Sequence, residues 1–203
     1  MRAQLLAGVR ALLVLTLLCG VAFPLAVTAI AQVAFHDKAD GSLVHRDGAV
    51  VGSSLIGQTF TGNEYFHGRP SAAGAAAAGA AGADPDDLTQ VASGASNLGP
   101  ANPELADTVA ERVDAYRAEN DLARDVEVPV DAVTASGSGL DPQISVANAR
   151  LQAPRVAEAR GMGTDDVLSL LDKHTSHRSL GFLGEEGVNV LALNLDLDRT
   201  GGT

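Results

Sequence analysis

The chain has 203 residues, of which 25 are acidic and 14 basic, giving a formal net charge of −11 at pH 7. Nucleic-acid binding requires clustered basic side chains that contact phosphates, and Lys38 and Lys173 are the only lysines, so this class is disfavoured. Aromatic residues make up 3% of the chain and tryptophan is absent, so a core must consist mainly of Val, Leu, Ile and Ala. The acidity either gathers cations non-specifically or reflects a salt-adapted or GC-rich proteome.

The first predicted element is an uncharged run of 25 residues, Ala11 to Phe35. At about 1.5 Å per residue, such a helix measures roughly 37 Å and exceeds the ~30 Å hydrocarbon core of a bilayer. Arg2 and Arg10 precede the run, and no net positive charge follows it, which places the amino terminus in the cytoplasm. The sequence therefore predicts a single-pass anchor in residues 1–35 and an extracytoplasmic domain over 36–203.

A cleaved secretory signal is the alternative interpretation of this run. Ala29, Ile30 and Ala31 offer a small-x-small cleavage site, although signal cores usually span about 7 to 15 apolar residues. In a spanning helix, Pro24 is expected to be a tolerated break. Cys19 is the only cysteine and lies inside the run, so the rest of the chain contains no disulfide.

Loops, an insertion and a helix are predicted next. Between residues 47 and 62, short apolar pieces broken by glycines predict loops and short strands. Residues 71–83 are almost entirely Ala and Gly, which predicts a flexible surface insertion. A helix is expected from Pro103 to about Asn120, because proline favours a helix start and apolar residues follow at helical spacing: Leu105, Val109, Val113 and Tyr116.

Two more helices are expected after a turn-rich stretch at 135–142. The first runs from about Ser145 to Gly161, and Pro154 is expected to kink or restart it. The second begins at Thr164, whose hydroxyl, together with Asp165 and Asp166, is expected to cap the helix.

The C-terminal segment from Val188 to Asp198 alternates apolar and polar residues. This period of two predicts a strand, with a bulge where Val190 and Leu191 are adjacent. Together the predicted elements indicate a fold of class α+β, with one transmembrane helix followed by a single mixed domain.

Candidates for catalysis or metal binding are few. Of the five histidines only His174 and His177 are close together, and nothing indicates a third zinc ligand, so a solvated surface pair is favoured. Ser136 and Ser138 precede Asp141, but the pattern is not the strand-to-helix nucleophile elbow, which favours a tight turn supported by Asp141 over a hydrolase. The sequence therefore predicts no enzyme by itself, no metal and no tightly bound cofactor.

Several blocks of sequence carry a family resemblance over nearly the whole length. In this order, after one N-terminal apolar helix, they resemble the KdpC family of the Kdp potassium-transporting P-type ATPase. The blocks are Val51–Gln58, Tyr65–Ala72, Ser96–Pro100, Val128–Ser145 and Val188–Leu191, with Gln152, Arg155 and Arg160 between the last two.

The resemblance implies an accessory subunit of a high-affinity, ATP-driven potassium uptake complex. Its partners would be a channel-like potassium subunit, an ATP-hydrolysing P-type subunit and a small single-helix subunit. It also implies a catalytic chaperone that raises the ATP affinity of the pump, with Gln58 in nucleotide contact. The predicted topology puts Gln58 on the side away from ATP, which favours coupling through the assembled subunits.

Two other classes stay open: a secreted or anchored extracellular binding protein without a pump partner, and a secreted serine hydrolase. The residues expected to contact partners are Tyr65, Phe66, His67 and Arg69, because two exposed aromatics beside a cation are typical of an interface anchor. Three of the seven aromatics lie between Phe60 and Phe66.

Overall fold

The computed structural model describes residues 1–73 and 93–200 of the chain. The chain divides into two compact units, Met1–Ser53 and Ser54–Thr203. The sequence placed the start of the outer domain at residue 36, whereas the β-hairpin before Ser54 groups with the first unit. Most of the predicted Ala/Gly insertion, residues 74–83, lies outside the described residues.

The first unit begins with the predicted apolar helix. It comprises α1 (Arg2–Leu17), a π-helical turn (Leu18–Ala22) and α2 (Phe23–Ala34), in all 33 residues without interruption. None of these residues is buried, and the helix is long and apolar enough to cross a membrane. The expectation of a spanning helix is confirmed, with a start one residue after Met1 rather than at Ala11.

The π-helical turn accounts for the effect of Pro24. Proline has no N–H and its ring crowds the carbonyl four residues earlier, which is that of Gly20. The N–H of Phe23 instead bonds the carbonyl of Leu18, five residues back, so the turn ahead of the proline is wider. The expected break is therefore a widened turn inside a continuous helix.

A short helix and a hairpin complete this unit. Helix α3 (His36–Ala39) is followed by the antiparallel strands β1 (Leu43–Arg46) and β2 (Ala49–Ser53). Asp47 and Gly48 join the strands with φ of 52° and 82°, the two positive values that a type I′ hairpin turn requires. Strand β2 confirms the prediction of short strands in this stretch.

The second unit contains five described helices and three short strands. The helices are α4 (Pro103–Glu119), α5 (Val130–Val133), α6 (Val146–Arg160), α7 (Thr164–Lys173) and α8 (Val190–Thr200). The strands are β3 (Gln143–Ile144), β4 (Thr175–Ser176) and β5 (Gly187–Asn189), antiparallel in the order β3–β5–β4. The predicted class, α+β, is confirmed.

The boundaries of α4 and α6 follow the sequence signals closely. Asn102 caps α4 by accepting a bond from the N–H of Glu104, ahead of Pro103. Ser145 caps α6 by accepting one from the N–H of Asn148. Gly161, with φ of 64°, ends α6, and the helix runs unbroken through Pro154 rather than restarting there.

The cap predicted for α7 is wrong by one residue. Gly163 is the capping residue, because its backbone is extended and its carbonyl accepts the first helical bond, from Val167. Thr164 is therefore already helical and is the first residue of α7. Asp165 and Asp166 lie in the first turn, where negative charge favours the helix dipole as expected.

The strand predicted for Val188 to Asp198 is also wrong. Only its first two residues belong to β5, and helix α8 begins at Val190. Asn189 accepts a bond from the N–H of Ala192 and so caps α8. The alternating pattern also satisfies a helical period, and its buried side chains fall on one helical face: Val190, Leu191, Leu193, Asn194 and Leu197.

The core of the second unit forms where α6, α7 and α8 pack together beside the small sheet. Small residues on α6 allow this close packing, and one aromatic ring, that of Phe66, fills the space between the helices. The buried cluster contains Phe66, Ile144, Ala149, Ala153, Val156, Ala157, Val167, Leu170, Leu171, Val188, Val190, Leu193 and Leu197.

Candidate functional site

Residues 63–69, here called the clasped segment, begin with a turn and continue without regular secondary structure, and side chains of α6 and α8 bond their backbone. The Asn194 amide accepts from the N–H of Phe66 and donates to its carbonyl, both at 2.9 Å. The Gln152 amide does the same for His67, at 2.7 and 3.1 Å. Two side-chain amides thus take the place that a neighbouring strand would occupy in a sheet.

Arg155 of α6 holds the start of the clasped segment. Its guanidinium donates to the carbonyls of Asn63 and Tyr65, at 2.7 and 3.1 Å, and to the side chain of Asn120 at 3.0 Å. Burial lowers the pKa of Arg155, since the charged form is less well solvated there. All of these acceptors are neutral, so the charge is balanced only by more distant carboxylates, of which Glu119 contributes most.

A second polar network lies on the other side of Gln152. The Tyr116 hydroxyl donates to the side-chain oxygen of Asn148 at 2.8 Å, and the Asn148 amide donates to Asp131 at 3.0 Å. Burial and the charge of Asp131 raise the pKa of Tyr116. Gln152 also donates to Asn148, so the two networks form one continuous set of bonds through the interior.

Of the four residues predicted to contact partners, Phe66 is not on the surface. Its exposed fraction is 0%, and it belongs to the core cluster. The expectation of an exposed Phe66 is therefore wrong, because backbone bonds to Asn194 turn the ring inward. Tyr65 is half-buried, with its ring 5.3 Å from that of Phe60 and 4.9 Å from the Arg160 guanidinium.

His67 and Arg69 are half-buried and bonded to other side chains of the same unit. The two ring nitrogens of His67 lie 2.8 Å from Glu119 and 2.9 Å from the carbonyl of Gly62. The hydrogen bond from His67 lowers the pKa of Glu119. Arg69 donates to Asp141 at 2.9 Å.

Asp141 holds a turn, as the sequence predicts. One of its carboxylate oxygens accepts from the N–H of Gln143 at 3.0 Å, and the other binds Arg69. The neighbouring Ser138 accepts from the N–H of Leu140, a local turn bond rather than a contact with a base.

Gln58 lies beside a small cavity of about 30 Å³ that is also lined by Arg69 and Asp141. Sites for small-molecule ligands usually measure roughly 300–1,000 Å³, and a cavity of this size admits one or two water molecules. Among the described residues, no three His, Cys, Asp or Glu side chains are grouped so as to hold a metal ion.

Reasoning from the sequence pattern missed the amide and guanidinium groups that hold the clasped segment. The sequence pattern predicts a strand at Asn194. The apolar residues from Val190 to Leu197 also have helical spacing, and this signal indicates a helix with Asn194 on its buried face. Gln152 and Arg155 stood out only through the family resemblance.

Among the described residues, one apolar helix is long enough to span a bilayer and a folded α+β unit follows it, which defines a single-pass membrane-anchored protein. The family model for the K+-transporting ATPase c chain, KdpC, matches residues 5–199. The chain therefore belongs to the KdpC family, as the sequence blocks indicated, and is a non-catalytic subunit of the Kdp potassium-transporting ATPase complex.

Relatives of similar length support this assignment. A potassium-transporting ATPase KdpC subunit of Mycobacterium bovis is 56% identical over 199 residues, covering 98% of this chain and 100% of the relative. The KdpC subunit of Rhodopseudomonas palustris is 53% identical over 197 residues, 93% of each chain. That of Methylibium petroleiphilum is 52% identical over 198 residues, 98% of each.

Proposed function

We propose that this chain assembles and stabilises the potassium-transporting complex by joining its channel-like subunit to its ATP-hydrolysing subunit, beside a small single-helix subunit. The observation that carries the proposal is the exposed 33-residue apolar helix attached to a folded polar unit. Such a helix offers packing surface to other membrane helices, while the folded unit offers a second surface for contact.

In this proposal the amino terminus lies in the cytoplasm and the second unit lies outside. Arg2 and Arg10 are the charges before the apolar part of the helix, and both are basic. His36, Asp37, Lys38 and Asp40 follow it, with no net positive charge when the histidine is neutral. This asymmetry favours retention of the amino-terminal end on the cytoplasmic side.

The proposal includes an indirect effect on ATP affinity, as a catalytic chaperone of the pump subunit. The 30 Å³ cavity beside Gln58 is far smaller than a nucleotide site, which favours coupling through assembled subunits over direct contact. Coupling of this kind needs only that the chain bind one state of the pump more tightly than another. ATP then acts through the complex, and this chain binds no cofactor tightly.

Tyr65, His67 and Arg69 remain proposed partner contacts. Each is half-buried, so part of each side chain is available to another protein. Their intramolecular bonds fix their orientation, which lowers the entropic cost of binding.

Removal of the anchor tests the proposed function. Deletion of residues 1–34 is expected to abolish co-purification of the channel-like and ATP-hydrolysing subunits in mild detergent and to abolish growth at limiting potassium, because both helix packing and membrane confinement are lost.

The matched control replaces the same residues with an unrelated single-pass helix of the same orientation. It restores confinement but not specific packing, so partial recovery is expected. Normal complex yield and growth in the deletion variant would contradict the proposed function.

A further inference from the structure

The loop between β4 and β5 exposes three large apolar side chains at its end, here called the apolar tip: Leu180, Phe182 and Leu183. Their exposed fractions are 83%, 69% and 50%. Phe182 is the one strongly exposed aromatic among the described residues of the second unit, whose other aromatics are buried or half-buried. In a chain so poor in aromatics, this exposure needs an explanation beyond the fold of the isolated chain.

The backbone of this loop is well ordered by its own hydrogen bonds. Ser179 and Leu183 exchange two backbone bonds of 2.9 Å, and the N–H of Gly181 bonds the carbonyl of Arg178. Leu180 has φ of 56°, in the left-handed region that disfavours any residue with a Cβ. A leucine whose backbone is strained and whose side chain is exposed adds no packing stability to this unit. Backbone strain of this kind is concentrated at binding sites.

The charged groups in the stem of the loop pair with one another. Arg178 lies 2.8 Å from Glu185, and His177 lies 2.9 Å from Glu186. These pairs flank the apolar tip in the sequence, and the tip itself presents an uncharged surface. A surface complementary to the tip itself is therefore apolar and uncharged.

We propose that the apolar tip docks into an apolar pocket on another protein subunit of the same potassium-transporting complex. This inference rests on the proposed function, because it needs a partner that the membrane anchor already holds nearby. The three side chains expose roughly 400 Å², at about 200 Å² for a large apolar side chain. A stable contact between free proteins takes about 800 Å² from each partner, so the tip suits one part of a larger, tethered interface rather than a dimer of this chain in solution.

A lipid surface is the less suitable partner. Segments that insert into a bilayer surface usually combine apolar residues with unpaired Lys or Arg and with interfacial Trp or Tyr. Between residues 177 and 186, Arg178 is the sole Lys or Arg and is ion-paired, and Trp and Tyr are absent. The formal charge of −11 further opposes approach to anionic lipid.

The direct test places a photoreactive phenylalanine derivative at Phe182 in the full chain, within the complete complex in native membranes. Val130, 72% exposed on the same unit, receives the same residue as the matched control. Crosslinking from position 182 to another subunit is expected, at least several-fold stronger than from position 130. Crosslinks from position 182 only to lipid, only to a second copy of this chain, or to nothing would overturn the inference.

A second measurement uses the double variant Phe182→Ser, Leu183→Ser and the control Val130→Ser. Retention of the partner subunits by the double variant is expected to fall roughly tenfold or more, as for truncated interface anchors, with no change for the control. Retention equal to wild type would overturn the inference. If the unmodified chain itself fails to retain the partner subunits, the proposed function fails instead, and the two failures are thus distinguished.

Discussion

Replacement of Asn194 by alanine is expected to destabilise the second unit strongly. The side chain is 1% exposed, and its amide is bonded to both backbone groups of Phe66, which is itself fully buried. Each backbone group left without a partner away from water costs about 1–3 kcal/mol, so the variant loses about 2–6 kcal/mol. Against a total stability of about 5–15 kcal/mol, this loss is large, and at about 2–4 °C per kcal/mol it lowers the melting temperature by roughly 4–24 °C.

Pulse proteolysis of the full chain in mild detergent, across a urea series, measures this loss. Asn63→Ala is the matched control, because Asn63 lies in the same clasped segment but is exposed, and only its carbonyl is bonded to Arg155. The control is expected to stay within about 0.5 kcal/mol of the wild type. A loss below about 1 kcal/mol for Asn194→Ala would refute the reasoning that this amide replaces a strand partner of Phe66.

Three further predictions follow from the proposed membrane orientation, the cavity beside Gln58 and the bond between His67 and Glu119. In a cysteine-free background, an impermeant thiol reagent added to intact cells is expected to label a cysteine at Ser71 but not one at Ala3; the reverse pattern would contradict the proposed orientation. Calorimetry of the purified chain is expected to detect no micromolar ATP binding, and such binding, if lost in Gln58→Ala, would favour direct nucleotide contact. Because the hydrogen bond from His67 lowers the pKa of Glu119 below its ordinary 4.5, the stability that the ionised Glu119 carboxylate contributes is complete above pH 4.5 and is lost as the pH falls through the lowered pKa. Glu119→Gln is therefore expected to lower the urea midpoint at pH 6 to 7 but not in strong acid; an equal deficit at every pH would exclude the ionic contribution.

Sequence signals were sufficient where an element is delimited by local chemistry. Asn102 before Pro103 and Gly161 after the last turn of α6 fix helix ends through bonds made within a few residues. The apolar helix was predictable for the same reason, since its length and lack of charge are local properties.

Two larger errors, the strand over Val188 to Asp198 and the exposed Phe66, share a physical cause, because both depend on contacts between distant parts of the chain. The alternation from Val188 to Asp198 fits both a strand and a helix face, and packing of α8 against α7 decides between them. Phe66 belongs to an aromatic cluster in the sequence, yet its burial depends on Asn194, 128 residues further on. Local composition carries no information about such a partner.

The clasped segment also has a consequence for the order in which the chain is made and folded. Its bonds to Gln152 and Asn194 join residues 85 and 128 positions apart. A ribosome adds about 5–20 residues per second, so Phe66 is synthesised roughly 6–25 s before its partner on α8. Until Gln152 is synthesised the segment has neither amide available to it, and until α8 is synthesised the core lacks the helix that completes it. A subunit of the complex that recognises the folded second unit can therefore bind only a chain in which α8 has already been synthesised.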